Sequence, residues 1–406
     1  MRSHALVLRS RFAVGAKTLW EARGLALGAL LAIFGVVGFL VPIPSLLAGF
    51  MAILGLAVST LDLRRLRKRT KWATRPNDMY QDVQEALGPR ASCIVSGGHV
   101  CAVMLQESRR LREAPIAIKE TAAYRLDPRI KELAFGFTTS QIRSGALWNS
   151  PALGLASDLP TLGDTSEVLV RVCDYFDHIG SDLLATYDIR AGSSNSTFNG
   201  RDLVVTGNGT LRPLRGSWLA NLVGVSTLAF TSDGKLVLVW QSSKNYNSPG
   251  LFAPSGSGAL SPSDLVNAGD LQNLVMQGAN RELCEETGIR PSEISASKAL
   301  GFARWLSKGG MPEFYGYTLL KLSSDELDLR EIPPGERRFT GERLTVRLPP
   351  TDEWVGGPEA LLGDRARSAS VPLLCAVSLL ADLVRAGDAS TQPLLEVLKR
   401  PEPIAP

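Results

Sequence analysis

Apolar and polar positions divide this chain into two very different parts. From residue 24 to residue 61 no position is charged. Residues 24–41 form one apolar run, Pro42-Ile43-Pro44-Ser45 interrupts it, and residues 46–61 form a second. Each run is slightly short of the roughly 20 residues a membrane-spanning helix needs, and flanking residues complete both. The two prolines confine the break to a tight turn, so the pattern predicts a helical hairpin in a bilayer, where helices satisfy their own backbone polar groups. Gly24, Gly28, Gly35, Gly38, Gly49 and Gly55 would let such helices approach closely. A cleaved signal peptide is disfavoured, because the run is twice too long and positive charge follows it. A buried core hairpin of a soluble protein is the bland alternative.

Beyond residue 72 the periods shorten and mix. Residues 93–95 and 99–105 read as strands, and residues 167–186 as a helix packing Val170, Cys173, Phe176 and Ile179 inward. Residues 191–197 are turn-rich. Residues 223–231 and 236–241 alternate around Ser232-Asp233-Gly234-Lys235, a hairpin pattern. A Gly/Ser/Pro-rich loop over 247–263 leads to a helix ending near residue 288. Residues 299–305 and 313–322 read as two more strands, joined through 307–312. Ser370 and Pro372 suit the cap and first turn of a helix that an apolar stripe continues over 373–385.

Charge adds orientation. Arg2, Arg9, Arg11, Lys17 and Arg23 precede the uncharged run, and Arg64, Arg65, Arg67, Lys68, Arg69 and Lys71 follow it. Both termini are therefore expected on the cytoplasmic side, with the second cluster gripping anionic lipid headgroups. The whole chain, with 44 Lys and Arg against 40 Asp and Glu, is too nearly balanced to argue for a nucleic acid polymer as partner. Five scattered cysteines without CxxC spacing and three distant histidines argue against a disulfide framework and a zinc site, and fit a reducing compartment.

The densest chemistry lies in Arg281-Glu282-Leu283-Cys284-Glu285-Glu286-Thr287-Gly288-Ile289. On a helix, Glu282, Glu285 and Glu286 can converge on one face, and like charges at that spacing repel unless a cation offsets them. Mg2+, a hard ion taking oxygen ligands, would do so. Arg281 can bridge to one of these carboxylates, and Gly288 suits the left-handed helix stop. A solvated acidic helix face is the competing reading.

The nonamer resembles the second half of the Nudix box, G-x5-E-x7-R-E-U-x-E-E-x-G-U with U aliphatic, and matches every defined position from Arg281 onward. The first half departs: Asn273 stands where the pattern has Glu, and Asn267 where it has Gly. A replacement glycine lies in Pro254-Ser255-Gly256-Ser257-Gly258, with an insertion carrying Asp264 and Asp270 behind it. The resemblance implies an α+β chain whose C-terminal part is an α/β/α sandwich with a mixed sheet. It also implies Mg2+ on Glu282, Glu285 and Glu286, with Arg281 among the catalytic residues. Backbone N–H groups at Ser255, Gly256 and Gly258 could cradle a phosphate. Arg304, Lys244 and Lys308 are candidates for phosphate oxygens, Glu313 for a carboxylate outside the box, and Trp305 and Tyr315 for base stacking, with core packing or surface charge as the alternatives.

The expected layout is a basic N-terminus (1–23), a transmembrane hairpin (24–61), a basic linker (62–75), an accessory α/β region (76–210), a Nudix-like domain (211–386) and a tail (387–406). This architecture resembles the two-transmembrane Nudix effectors of bacterial CBASS anti-phage systems. That resemblance implies a homo-oligomerising inner-membrane protein whose cytoplasmic domain senses a cyclic nucleotide second messenger and whose hairpins then disrupt the membrane. A membrane-anchored, Mg2+-dependent hydrolase of a nucleoside diphosphate derivative is the alternative.

Overall fold

The computed structural model describes residues 72–399 apart from 77–79, 97, 145–148, 162–166, 192–196, 244–247 and 338–339, together with isolated helical positions at 33, 53–55 and 57. The hairpin expected over 24–61 thus lies, but for those positions, outside the described residues. Ile33, Ile53 and Leu54 are exposed. Among the described residues no helix is long and apolar enough to cross a membrane.

The first described strand, β1 (Trp72–Pro76), falls at the end of the expected linker and pairs with a later strand of the accessory region. A hairpin of β2 (Ala91–Ser96) and β3 (His99–Met104) follows, then helix α1 (Leu105–Glu113). A small sheet is built from β4 (Ala117–Glu120), β5 (Pro151–Leu155) and β6 (Glu167–Asp174). Residues 167–186, where a helix is predicted, are not one helix. Residues 167–174 are a strand because Val168 and Val170 alternate inward in a β-branched run. Asp174 then ends the strand through a reciprocal capping box with Asp177, starting a four-residue helix, Tyr175–His178, and a π turn, Ile179–Leu183. The residues expected inside are largely so, with Val170, Cys173 and Ile179 buried, but on different elements. β7 (Tyr187–Ala191) and β8 (Thr197–Asn199) complete a three-stranded sheet with β1.

The central sheet is mixed and nine-stranded. β9 (Gly224–Phe230) and β10 (Lys235–Gln241) form the predicted hairpin. Short β11 (Phe252–Ala253) pairs with β10, and β12 (Gly256–Ala259) with β9, inside the stretch expected to be loop. After helix α2 (Leu271–Thr287) come β13 (Ile294–Trp305) and β14 (Met311–Leu320), the latter parallel to β9. β15 (Thr340–Arg347) flanks β10 and lacked a sequence signal, since its positions are mostly exposed or half-buried and carry polar side chains. Helix α3 (Val371–Arg385) is capped by Ser370 with Pro372 in its first turn, as expected. α4 (Gln392–Leu398), in the expected tail, buries Leu394 and Val397.

β9 and β14 are buried at every position, which requires both faces of the sheet to be covered. On one face Val225, Phe302 and Phe314 pack with Leu271, Leu274 and Val275 of α2. On the other, Leu228, Phe230, Tyr315 and Tyr317 pack with Leu373, Cys375 and Leu380 of α3. The result is an α+β chain with a layered core.

The expected boundary at residue 210 does not divide this sheet, because Cys101, Ala102 and Val103 of β3 pair with Trp305, Arg304 and Ala303 of β13. A second tie runs through the π turn. Asp182 accepts the Asn221 and Leu222 N–H groups at 2.9 and 3.1 Å and meets His178 Nδ1 at 2.9 Å. Together these bonds fix the approach to β9.

Candidate functional site

Asp270 caps α2 by accepting the Asn273 N–H at 2.8 Å. Gly288 ends the helix in the left-handed region at φ 76°. A Cβ there would lie 2.3 Å from the Glu331 carbonyl oxygen, so glycine both reverses the chain and admits the 331–336 turn. Arg343 of β15 donates to the Thr287 carbonyl at 2.5 Å and to the Leu327 and Arg330 carbonyls, placing a cation at the negative end of the helix.

The last two turns carry the carboxylates. β12 lies directly beneath them, with a Cβ on Gly258 placed 2.2 to 2.5 Å from the Glu282 carboxyl atoms and one on Gly256 2.4 Å from the Leu283 nitrogen. Two glycines are therefore needed for this approach. Arg281 spreads its guanidinium beside the strand: Nε and Nη2 contact Asp264 Oδ1 and Oδ2 at 2.9 and 3.1 Å. Nη1 reaches Glu282 Oε1 at 2.7 Å and Glu285 Oε2 at 3.2 Å, while Nη2 also donates to the Ala259 carbonyl.

Glu286 is buried and accepts the Ser257 N–H at 3.2 Å and a bond from the Gln241 side chain. Among the described residues no cationic side chain pairs with it. Burial, and then the neighbouring Glu282 charge, push its carboxyl well above the usual range. Burial likewise raises Glu282 to about 7, against the pull of Arg281. Glu285 is half exposed, and Glu336 on the 331–336 turn adds a further carboxylate that raises Glu286 and is itself raised by burial and then by the Glu285 charge.

Among the described residues no three acidic, His or Cys side chains stand close enough to hold a metal as placed. The donor chemistry nevertheless fits a hard divalent cation: Glu282, Glu285, Glu286 and Glu336 offer only oxygen ligands, and the most buried of them has no cationic partner among the described residues.

The other predicted residues lie elsewhere. Ser255 is fully buried, accepting the Ala229 N–H at 2.7 Å and donating to the Val237 carbonyl at 2.5 Å, so it ties strands together. Gly256 and Gly258 lie in a strand against α2, and the Ser257 N–H serves Glu286, so this stretch is no open phosphate cradle. Glu313 is on the opposite face of the sheet. Along β14, Gly316 lies under Met276 and Thr318 bonds Asn280 at 2.7 Å, both on α2. The two-residue period then turns Glu313 toward the α3 side, where it accepts Ser226 Oγ at 2.9 Å and interacts with Lys308. Lys308 Nζ sits 4.0 Å from the Trp305 ring centre; Trp305 and Tyr315 are core residues. Arg304 pairs with Pro312 at the start of β14, whereas Asn280, beside the acidic stretch of α2, bonds Thr318, six positions on. At ~3.3 Å per residue that separation is about 20 Å. Lys244 lies outside the described residues.

Four contributors were not read from sequence: Asp264, Gln241, Glu336 and Arg343. Ser261-Pro262-Ser263-Asp264 carried a capping-box signal that marks Asp264. The other three come from distant strands and turns without local signature.

No protein-family model matches the sequence, and no curated relative does. Solved structures similar to part of it include protein DR0079 from Deinococcus radiodurans, at 16% identity and TM-score 0.22 over 44% of this chain and 82% of that one. A MutT protein from Methanosarcina mazei matches at 14% identity and TM-score 0.25, over 41% of this chain and 95% of that one. The Nudix hydrolase RenU from M. smegmatis matches at 14% identity and TM-score 0.24, over 41% and 84%. At these scores the likenesses carry no assignment, and the chemistry of the site stands on this chain's own residues.

Proposed function

We propose that the acidic end of α2 is a divalent-cation-dependent site for a nucleoside diphosphate derivative, whose phosphoanhydride it hydrolyses. The observation that carries this is the buried Glu286, which feels the Glu282 charge and has no cationic side chain paired to it among the described residues. A bound Mg2+ would polarise a phosphoryl oxygen and lower the pKa of a coordinated water. The chain's own part is orientation. Ser257 N–H and Gln241 hold Glu286, Arg281 holds Glu282 and one oxygen of Glu285, and the two glycines of β12 keep the strand below them close. Half exposed, Glu285 is the carboxylate nearest to solvent and the one placed to meet a substrate.

The test is product release from a panel of linear nucleoside diphosphate derivatives with and without Mg2+. Mg2+-dependent turnover that Glu286→Gln lowers by about a hundredfold or more is the expected result. Turnover indifferent to both would overturn the proposal.

A second reading is supported by the uncharged residues 24–61 between basic flanks. Here the chain is a homo-oligomeric effector of a CBASS-type defence system at a bacterial inner membrane. Its cytoplasmic domain senses a cyclic nucleotide and its hairpins disrupt the lipid bilayer. Full-length protein in anionic vesicles should then release an encapsulated dye on addition of a cyclic oligonucleotide. Intact vesicles across a panel of such nucleotides would sink this reading.

A further inference from the structure

We propose that Asp264 is the positioning residue of the acidic site, fixing Arg281 so that Glu282 and Glu285 are presented together. The proposal rests on the reading of that site as a divalent-cation site. A guanidinium gripped side-on through Nε and Nη2 has its plane fixed, and its remaining nitrogen then has one direction to point. Asp264 supplies that grip, at 2.9 and 3.1 Å, and the remaining Nη1 is the atom that touches Glu282 and Glu285.

Asp264 is itself immobilised. Its side chain is 4% exposed, its Oδ2 accepts the Ser261 N–H at 2.8 Å, and Pro262 stiffens the turn that carries it. Across from it, a Cβ on Gly278 would meet Leu260 at 2.3 Å and Asp264 Oδ2 at 3.0 Å, so the helix leaves room for this carboxylate. The position eight before Arg281 contributes nothing comparable. Asn273 is exposed and bonds Asp270 at the far end of α2. The chain thus anchors its box arginine from the preceding turn, seventeen positions upstream, and the site is ordered without a carboxylate at 273.

The experiment uses the full-length chain and Mn2+ as the probe, following loss of the free-ion EPR signal on titration. Asp264→Asn should weaken Mn2+ binding about tenfold or more, the range found when partners that orient ligands are removed. Asp264→Glu should recover most of the loss, and Asn273→Ala should bind as the wild type does. Arg281→Lys, which keeps the charge but loses the fork, should weaken binding similarly, with no further loss when combined with Asp264→Asn. That pair of variants keeps the test intact if one single variant folds poorly. Unchanged Mn2+ affinity in Asp264→Asn, with only a lower melting temperature, would reduce Asp264 to a structural role and overturn the proposal. A wild-type chain that takes up no Mn2+ would instead overturn the cation reading, and the role of Asp264 with it.

Discussion

At the scale of single residues, Glu282 and Glu286 bind protons more tightly in the folded chain than in the unfolded one, because burial penalises their charged forms. A folded pKa above the unfolded value means that stability is fullest below the unfolded pKa and falls as pH rises through the folded one. For Glu282, from 4.5 to about 7, that loss is on the order of 3 kcal/mol. Without divalent cations the protein should therefore melt at a higher temperature at pH 5 than at pH 8. Mg2+ should narrow the difference by stabilising mainly the ionised form, and Glu286→Gln should raise the cation-free melting temperature at pH 8. A melting temperature that rises from pH 5 to 8 without cations would contradict this account. Asp233 works in the opposite direction. Burial opposes its charge, yet bonds from Thr231 and from the Ser324 side chain and N–H overcome it and hold the carboxyl at about 2. That contribution, about 2 kcal/mol, is present above the unfolded value of 3.8 and disappears as pH falls toward 2. Asp233→Asn should remove it, so the variant and the wild type should converge in urea stability at the acid end.

At the scale of elements, the site depends on how closely α2 meets its neighbours. Gly288→Ala places a side chain at φ 76° and a methyl 2.3 Å from a backbone carbonyl, so it should cost about 2 kcal/mol or more in urea unfolding. Gly258→Ala drives a methyl into the Glu282 carboxyl, which Arg281 holds in place. Its Mg2+-induced melting shift should shrink more than its cation-free stability. Much of this arrangement was legible. The 281–289 pattern located the helix end and its stop, alternation located β9 and β10, and the stretches 299–305 and 313–322, read as strands, fall within β13 and overlap β14. What failed had physical causes. The helical spacing of Val170, Cys173, Phe176 and Ile179 masked the alternation of Val168 and Val170, and the strand prevailed through β-branched side chains and the Asp174 cap. Glu313 was close in sequence to aromatic and basic candidates, but a period of two decides its face, and which face α2 covers is a tertiary fact. Asp264 and Glu336 reach the site from a turn on either side of α2, at separations that local patterns do not span.

At the scale of the whole molecule, two strands from before residue 211, β2 and β3, are part of the sheet that carries the site. β3 covers the edge of β13 through Cys101, Ala102 and Val103. Leu153 of β5 donates to the Leu260 carbonyl and accepts from Val223, so β5 bridges the ends of β9 and β12, and Leu271 at the start of α2 bonds the Ile116 carbonyl. Asp182 adds its two bonds to residues 221 and 222. A fragment beginning at residue 211 would expose the β13 edge, the apolar side of α2 that Leu111, Ile116 and Leu153 help to cover, and the backbone groups at 221, 222 and 260. Unpaired edges and uncovered apolar surface of this kind promote association between chains. Expressed alone, residues 211–399 should be aggregated or molten, with retained far-ultraviolet but weakened near-ultraviolet circular dichroism. Residues 72–399 should melt cooperatively. Supplying 72–210 as a separate chain during refolding should restore a cooperative transition, because the missing contacts are noncovalent. A cooperative, monomeric 211–399 fragment that keeps its Mg2+ response would show instead that the first half is an addition to a self-sufficient domain.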